Sequence, residues 1–124
     1  MLQAPISVGE LIDKITILEI KLEKIKNENA LANIRNEHKK LTELEKKFLP
    51  KLGNFKNKMR HVNEEIWNIE DGVRECERNK NFDETFIELA RSVYFKNDER
   101  ACVKREINRL FNSDIIEEKS YKKY

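Results

Sequence analysis

Two long stretches of this sequence carry apolar residues at alternating steps of three and four positions, one from Val8 and a more regular one from Phe55. In an α-helix this seven-residue repeat places the apolar side chains in one seam that faces a partner helix. The seam residues are Val8, Leu11, Ile15, Leu18, Leu22 and Ile25, and then Phe55, Met59, Val62, Ile66, Ile69, Val73 and Cys76. The pattern predicts an all-α fold, a bundle or hairpin of three to five amphipathic helices with coiled-coil-like seams.

Composition narrows the class of protein further. The 124 residues include only three Gly and two Pro, whereas β-sandwiches and barrels need turn residues about every ten positions. The 25 basic and 23 acidic residues give a net charge of +2, so we do not expect a nucleic-acid partner. No run of eighteen apolar residues exists, and the start lacks the pattern of a signal peptide. We therefore expect a cytoplasmic protein without membrane contact.

Local start and stop signals divide the chain into helices. Ser7 precedes Glu10 by three positions, which is the spacing of a capping box. Pro50 and Gly53 mark the strongest break in the chain. Asn97 could cap a new helix, so the last helix is either continuous or broken near that residue. We predict one domain over residues 1–124, with helices at approximately 8–27, 30–48, 55–78 and 83–111 and a tail at 112–124.

The residue types that bind metals or form disulfides are few. Cys76 and Cys102 lack the CxxC spacing and have no histidine at zinc-finger distance. We predict two reduced thiols in the core, no metal site and no cofactor. His38 occupies a seam position in the second helix where an apolar residue is expected. It is either a partly exposed or hydrogen-bonded histidine, or a ligand contact.

No catalytic motif is visible. Helical nucleotide pyrophosphohydrolases hold magnesium with ExxE on one helix and ExxD on the next. This sequence has no ExxE, and its one ExxD, from Glu10 to Asp13, lies in the first helical turn. A GxSxG motif is absent, and the three glycines are too far apart to form a phosphate loop. We therefore name no catalytic residue and favour a protein that is not an enzyme.

The region from Arg74 to Arg109 is the most unusual, because basic residues there interrupt the apolar seam. On a continuous helix Asn97 and Lys104 would point inward, and buried polar groups need partners. An internal network of salt bridges, an anion-binding pocket or surface contact with nucleic acid would each supply them. Guanidinium groups bind carboxylate or phosphate in two-pronged fashion. The candidate ligand-binding residues are Arg74, Arg78, Arg91, Asn97, Asp98, Arg100, Lys104 and Arg105.

Several blocks of the sequence resemble one family of short bacterial and phage proteins, which is defined as a domain of unknown function. The blocks are ISVGELIDKITILEIKLEKI, NIEDGVRECERNKNF, FIELARSVYFKNDERACVKREIN and the late EEKSY, and together they cover most of the chain. The resemblance implies an intracellular helical protein. It supplies no reaction, cofactor or catalytic residue.

The first helix is also similar to that of the helical chorismate mutases, through LIDKITILEIKLEKI. Those enzymes bind a dicarboxylate with Arg and Lys inside a helical dimer. Their pattern requires an arginine in the first helix and a late glutamine. Here the basic residues of the first helix are all lysines, and Gln3 is the one glutamine of the chain. These differences argue against a mutase.

These observations lead to a functional hypothesis. The first helix carries apolar residues on more than one side, and such surfaces usually mark interfaces. We predict a non-catalytic helical interaction module that forms a homodimer and binds a partner protein. The alternative is a small-molecule enzyme or sensor that binds an anionic ligand through the Arg74–Arg109 region.

Overall fold

A computed structural model describes residues 1–124, and it confirms the all-α prediction. The helices are α1 (Val8–Lys24), α2 (Glu28–Glu45), α3 (Leu49–Leu52), α4 (Phe55–Arg78) and α5 (Glu84–Leu110), and there are no strands. The long helices α4 and α5 form a hairpin, and α1 packs against both of them and against α2. None of the helices combines the length and the apolar character that crossing a membrane requires.

Side-chain caps set where three of the helices begin. The Ser7 hydroxyl accepts a hydrogen bond from the Glu10 amide at 3.1 Å, at the position that the capping-box spacing predicts. Asn27 caps α2 in the same way, so α1 ends at Lys24 rather than near residue 27. Asp83 accepts from the Thr85 amide at the start of α5.

The segment that separates the second and third predicted helices contains a helical turn of its own. Pro50 stands at the start of α3, where its missing N–H would have no partner in any case. Gly53 ends the turn with φ of +55°, a conformation that side chains disfavour. The turn buries Leu52, which is 1% exposed, in the core. A stretch that reads as a simple break is therefore part of the packing.

Helix α5 runs without interruption through Asn97. The Asn97 side chain does not cap a helix. Its Oδ1 instead accepts a hydrogen bond from Arg100 Nη2 at 2.7 Å, one turn further along. Because that side chain is engaged with another side chain, the backbone has no competing partner that would end the helix.

The core lies where α1 crosses the end of the hairpin that contains the start of α4 and the end of α5. Its central residues are Ile12, Leu52, Met59, Val62 and Ile107, each no more than 3% exposed. Close approach of α1 to α5 depends on Gly9, whose amide donates to Asn108 Oδ1 at 2.7 Å. A β-carbon at Gly9 would lie 2.6 Å from the backbone oxygen of Lys104, so only glycine fits without a shift.

The other end of the hairpin, residues 67–93, forms a distal arm. Cys76 is the one buried residue of the arm. The prediction of two core thiols is therefore wrong for Cys102, which is exposed because it lies on a solvent-facing side of α5. In the arm, Gly72 lets α4 approach α5, since a β-carbon there would lie 3.0 Å from the Leu89 side chain.

Candidate functional site: a polar groove beside the apolar arm

A polar groove of about 780 Å³ lies where the first turns of α1 meet the second half of α5 and the segment of residues 113–124. These three parts of the chain are distant in sequence and meet only in the folded protein. The groove is lined by Glu10, Asp13, Tyr94, Asn97, Asp98, Arg100, Ala101, Lys104, Glu117, Lys119, Tyr121, Lys122 and Tyr124.

A hydrogen-bonded polar layer runs from the groove into the core. Asn63 on α4 donates to Asp13 Oδ1 at 2.9 Å and to Thr16 Oγ1 at 3.0 Å, and all three residues are buried. The Asn63 carbonyl oxygen accepts from Arg100 Nη1 at 3.1 Å. Buried polar groups that are paired in this way fix the positions of their neighbours. The layer therefore holds the Arg100 side chain at the floor of the groove.

Lys104 lies among three carboxylates. Its Nζ is 2.6 Å from Glu10, 2.8 Å from Glu117 and 3.6 Å from Asp13. Burial lowers the pKa of Lys104, but the hydrogen bonds to Glu10 and Glu117 outweigh it and leave the pKa raised. The hydrogen bond from Lys104, followed by that from Lys119, lowers the pKa of Glu117 to about 2. Lys104 is thus a neutralised, structural cation.

Arg100 differs from the other half-buried cations near α1 and α4 in the groups that it contacts. Its guanidinium is half-buried and is held by the amide oxygens of Asn63 and Asn97, and no carboxylate lies within ion-pair distance. An amide oxygen accepts a hydrogen bond but does not neutralise the charge. By contrast, carboxylates contact Lys56, Arg60, Lys96, Lys104 and Arg105.

Aromatic side chains form the far wall of the groove. The Tyr124 ring lies 5.4 Å from Tyr94 and 4.9 Å from Phe95, between ring centres. The Tyr124 hydroxyl donates to Asp98, and this hydrogen bond raises the pKa of Tyr124 to about 12. Asp98 is exposed and lines the groove.

The structure separates the residues that the sequence proposed as one site. Asn97, Asp98, Arg100 and Lys104 line the groove, and Arg105 lies beside it with its guanidinium 3.4 Å from Glu118. The remaining three lie outside the groove lining and are exposed on the distal arm. These are Arg74, Arg78 and Arg91. Arg78 pairs there with Glu75 of the preceding turn.

Sequence reasoning did not assign the groove's tyrosines, its acidic residues on α1 or the residues after 116 to the site. One signal pointed toward them. Three of the four blocks that carry the family resemblance contribute to this groove although they are far apart in sequence, whereas NIEDGVRECERNKNF lies on the distal arm. The contributing residues include Glu10 and Asp13 from the first block, Tyr94, Asn97, Asp98, Arg100 and Lys104 from the α5 block, and Glu117, Lys119 and Tyr121 from the last.

A second polar cluster joins α1, α2 and α4 away from the groove. Glu19 lies 3.1 Å from Lys56 and 3.3 Å from Arg60, and Glu45 on α2 lies 3.0 Å from Lys56. The seam histidine, His38, is half-buried with Nε2 3.7 Å from Glu19 and without a hydrogen bond. The chain contains no group of three or more His, Cys, Asp and Glu side chains arranged to hold a metal ion.

The apolar surface of the arm is the other candidate site. Phe82 and Ile87 are 51% and 46% exposed, and the Phe82 ring packs edge-on against Phe86 at 5.2 Å. The seam between α4 and α5 continues through the arm, but apart from Cys76 its members are only half-buried. They are Ile69, Val73, Phe86, Leu89, Ala90 and Val93.

Comparison with known proteins identifies the family. Residues 2–124 match a family of unknown function (DUF6165), so the chain belongs to that family over almost its whole length. This confirms the relationship that the sequence blocks indicate. No curated protein and no solved structure matches the chain.

Proposed function

We propose that this member of a family of unknown function is a non-catalytic helical interaction module, which self-associates as a homodimer through its distal arm. The observation that carries the proposal is an excess of accessible surface. The chain exposes 8930 Å², whereas a folded monomer of 14.8 kDa exposes about 7,000 Å². The excess is roughly 1,900 Å² per chain.

This excess matches what a stable dimer covers. Permanent homodimers bury about 2,000–5,000 Å² in total, and the excess of two chains together falls within that range. On the arm only two helices are present to cover the seam, and the side chains of Phe82 and Ile87 are exposed there. An amphipathic seam that is half-covered by one hairpin is fully covered when a second hairpin packs across it.

The geometry of the arm favours a second copy as the occupant. Two hairpins that pack face to face form a four-helix bundle. In a dimer with two-fold symmetry, the apolar surface of one arm packs against the same surface of the other arm. Residues of both charge signs flank this surface on each arm, so two antiparallel arms can place opposite charges near one another. These residues include Asp71, Arg74, Glu84, Glu88 and Arg91.

The state of the cations also supports an interaction module over an anion pocket spread along Arg74–Arg109. Arg78, Lys104 and Arg105 are paired with carboxylates of the chain. Arg74 and Arg91 are exposed on the arm and do not converge with the others. A site for a highly charged anion would need several cations that point to one place without such partners.

A partner protein could bind the apolar surface of the arm through a helix of its own. Such a helix would compete with dimer formation.

The test is the mass in solution of the full chain and of two double variants. Light scattering at tens of micromolar should give the mass of a dimer for the unchanged protein. Phe82→Ser with Ile87→Ser should give a monomer with the same helix content by circular dichroism, because both side chains are half-exposed in one chain. Leu44→Ser with Leu49→Ser is the matched control, since these leucines are similarly exposed but lie outside the arm.

Two results would contradict the proposal. One is a monomer mass for the unchanged protein at this concentration. The other is a dimer that survives the Phe82 and Ile87 substitutions and dissociates with the Leu44 and Leu49 substitutions, which would place the interface at the end of α2 and the start of α3.

A further inference from the structure

We infer that the polar groove binds a sugar phosphate, that is, a small hydroxyl-rich molecule with one phosphate group, either free or within a mononucleotide. The groove volume of about 780 Å³ lies inside the usual range of small-molecule sites. This site is separate from the dimer surface of the arm, so it stands or falls independently of self-association.

Arg100 supplies the argument for an anionic group. A half-buried cation usually has a carboxylate beside it, because an unneutralised charge is costly to remove from water. The side-chain partners of Arg100 are two amide oxygens, and Arg100 lines the groove. A phosphate matches the planar donor fork of arginine better than any other common anion except carboxylate. The missing counter-charge is therefore best supplied by a ligand.

Arg100 is also held ready for binding. The Asn63 and Asn97 oxygens fix two of its terminal nitrogens, and Asn63 is itself fixed by Asp13 and Thr16. A side chain that is already ordered loses little conformational entropy when a ligand arrives. Such support from a buried polar layer is what a precise recognition group requires.

The remaining charges argue against a polyanion and for hydroxyl groups. Carboxylates and cations are equal in number around the groove, so its formal charge is zero. The carboxylates are Glu10, Asp13, Asp98 and Glu117. The cations are Arg100, Lys104, Lys119 and Lys122. Carboxylates repel a second phosphate but accept hydrogen bonds from hydroxyl groups. The balance fits one anionic group joined to several hydroxyls.

Asp98 and the tyrosines are positioned for the hydroxyl-bearing part of the ligand. In the free protein the Asp98 carboxylate accepts from a hydroxyl, that of Tyr124, which a sugar hydroxyl can replace. Tyr94 and Tyr121 also line the groove. Ligand sites commonly combine such aromatic walls with a few well-placed polar groups.

The experiment measures binding to the full chain by thermal shift and calorimetry. The probes are glucose 1-phosphate, adenosine monophosphate, glucose and inorganic phosphate, each at the same millimolar concentration. We expect a higher melting temperature with glucose 1-phosphate or adenosine monophosphate than with glucose or inorganic phosphate. A shift with glucose 1-phosphate but not with adenosine monophosphate identifies a free sugar phosphate as the ligand. A shift with adenosine monophosphate but not with glucose 1-phosphate identifies a nucleotide.

Three variants locate the site. Arg100→Met should weaken binding by roughly tenfold to a hundredfold, as loss of hydrogen bonds to a charged group does. Asp98→Asn should weaken it by about tenfold while the fold is retained, since Asp98 is exposed. Arg91→Met is the matched control, because Arg91 is an exposed arginine of the same helix outside the groove, and it should leave affinity unchanged.

Several outcomes would overturn the inference. One is an unchanged melting temperature with both glucose 1-phosphate and adenosine monophosphate. Another is an increase with inorganic phosphate that equals the increase with those two compounds. The third is an equal loss of affinity in Arg91→Met and Arg100→Met. If Arg100→Met does not fold, Asp98→Asn decides the question, and unchanged affinity in that variant refutes a site at this groove. A monomeric protein that still binds glucose 1-phosphate would contradict the dimer and leave this inference intact.

Discussion

The two ends of the α4–α5 hairpin carry the same apolar repeat but differ in what covers it. At the end opposite the arm, the base, where the start of α4 meets the end of α5, α1 and α3 complete the packing, and Met59, Val62 and Ile107 are at most 3% exposed. In the arm, the repeat continues through residues such as Ile69 and Val73, which remain half-buried. The repeat identifies which face is apolar. How deeply that face is buried depends on a third helix.

The polar side chains of the base and the arm differ in how far apart in sequence their hydrogen-bond partners lie. At the base they bond across long sequence separations, as Asn63 does to Asp13 and Lys104 does to Glu10. In the arm, side-chain bonds join residues two to four positions apart, such as Arg78 to Glu75. Local surface pairs contribute little, whereas paired buried groups are costly to break. The base should therefore be the stable unit, and the arm should be the part that opens first.

The largest expected effect compares Ile12→Ala at the base with Val73→Ala in the arm. Ile12 is fully buried, so its truncation should lower the free energy of unfolding by about 2–5 kcal/mol, whereas Val73→Ala should cost under about 1 kcal/mol in the monomer. Urea denaturation measures both. If dimer formation covers the arm, the cost of Val73→Ala should rise with protein concentration. Equal losses of unfolding free energy for Ile12→Ala and Val73→Ala at every protein concentration would contradict the difference in burial between base and arm.

A second comparison removes one cation from each end. Lys104→Met leaves Glu10, Asp13 and Glu117 close together without their shared partner, which should cost about 3 kcal/mol. Arg91→Met removes an exposed charge from the arm and should change stability by less than about 0.5 kcal/mol. Thermal unfolding of the two variants tests this prediction. A stable Lys104→Met protein would show that the three-carboxylate cluster does not support the fold.

A third comparison uses the two helical glycines. Alanine at Gly9 meets the Lys104 backbone and Asn108, neither of which can move freely, so Gly9→Ala should cost about 1–3 kcal/mol. Alanine at Gly72 meets only the Leu89 side chain, whose methyl groups can shift more easily than backbone. There the better helix propensity of alanine, worth about 1 kcal/mol, should leave stability unchanged or improved. A larger loss at Gly72 than at Gly9 would reverse the assignment of the tight contact.

The smallest effect is a pH dependence of the segment that closes the groove. The Glu117 pKa of about 2 lies below its ordinary value of 4.5, so the stabilising contact with Lys104 is complete above pH 4.5. It is lost as pH falls from 4.5 through about 2, when Glu117 becomes protonated. Because Glu117 is about half exposed, solvent screening keeps the effect below about 1 kcal/mol.

The measurement compares the melting temperature of Glu117→Gln with that of the unchanged protein across this pH range. The variant should melt lower above pH 4.5, and the difference should disappear near pH 2. A difference that stays constant across the range would mean that the Glu117–Lys104 contact does not contribute to stability.

What the sequence determined by itself is local. The Ser7 cap, the ends of α4 and the apolar faces of the long helices involve residues within about one turn of each other, so spacing alone predicts them. At Leu49–Leu52 the sequence predicts only a break, because Pro50 and Gly53 are typical of both a chain break and a short capped helix.

Which of the cations share a site was decided by the tertiary structure. Arg100 and Arg91 look equivalent in sequence, as basic residues of one amphipathic helix. The crossing of α1 over the base places Asp13 beside Asn63 of α4, which in turn accepts a hydrogen bond from Arg100, whereas Arg91 is exposed on the arm. The return of residues 117–124 then supplies the other wall of the groove. Contacts between residues 50 or more positions apart depend on how helices cross, and that is set by the packing of the whole core rather than by any local pattern.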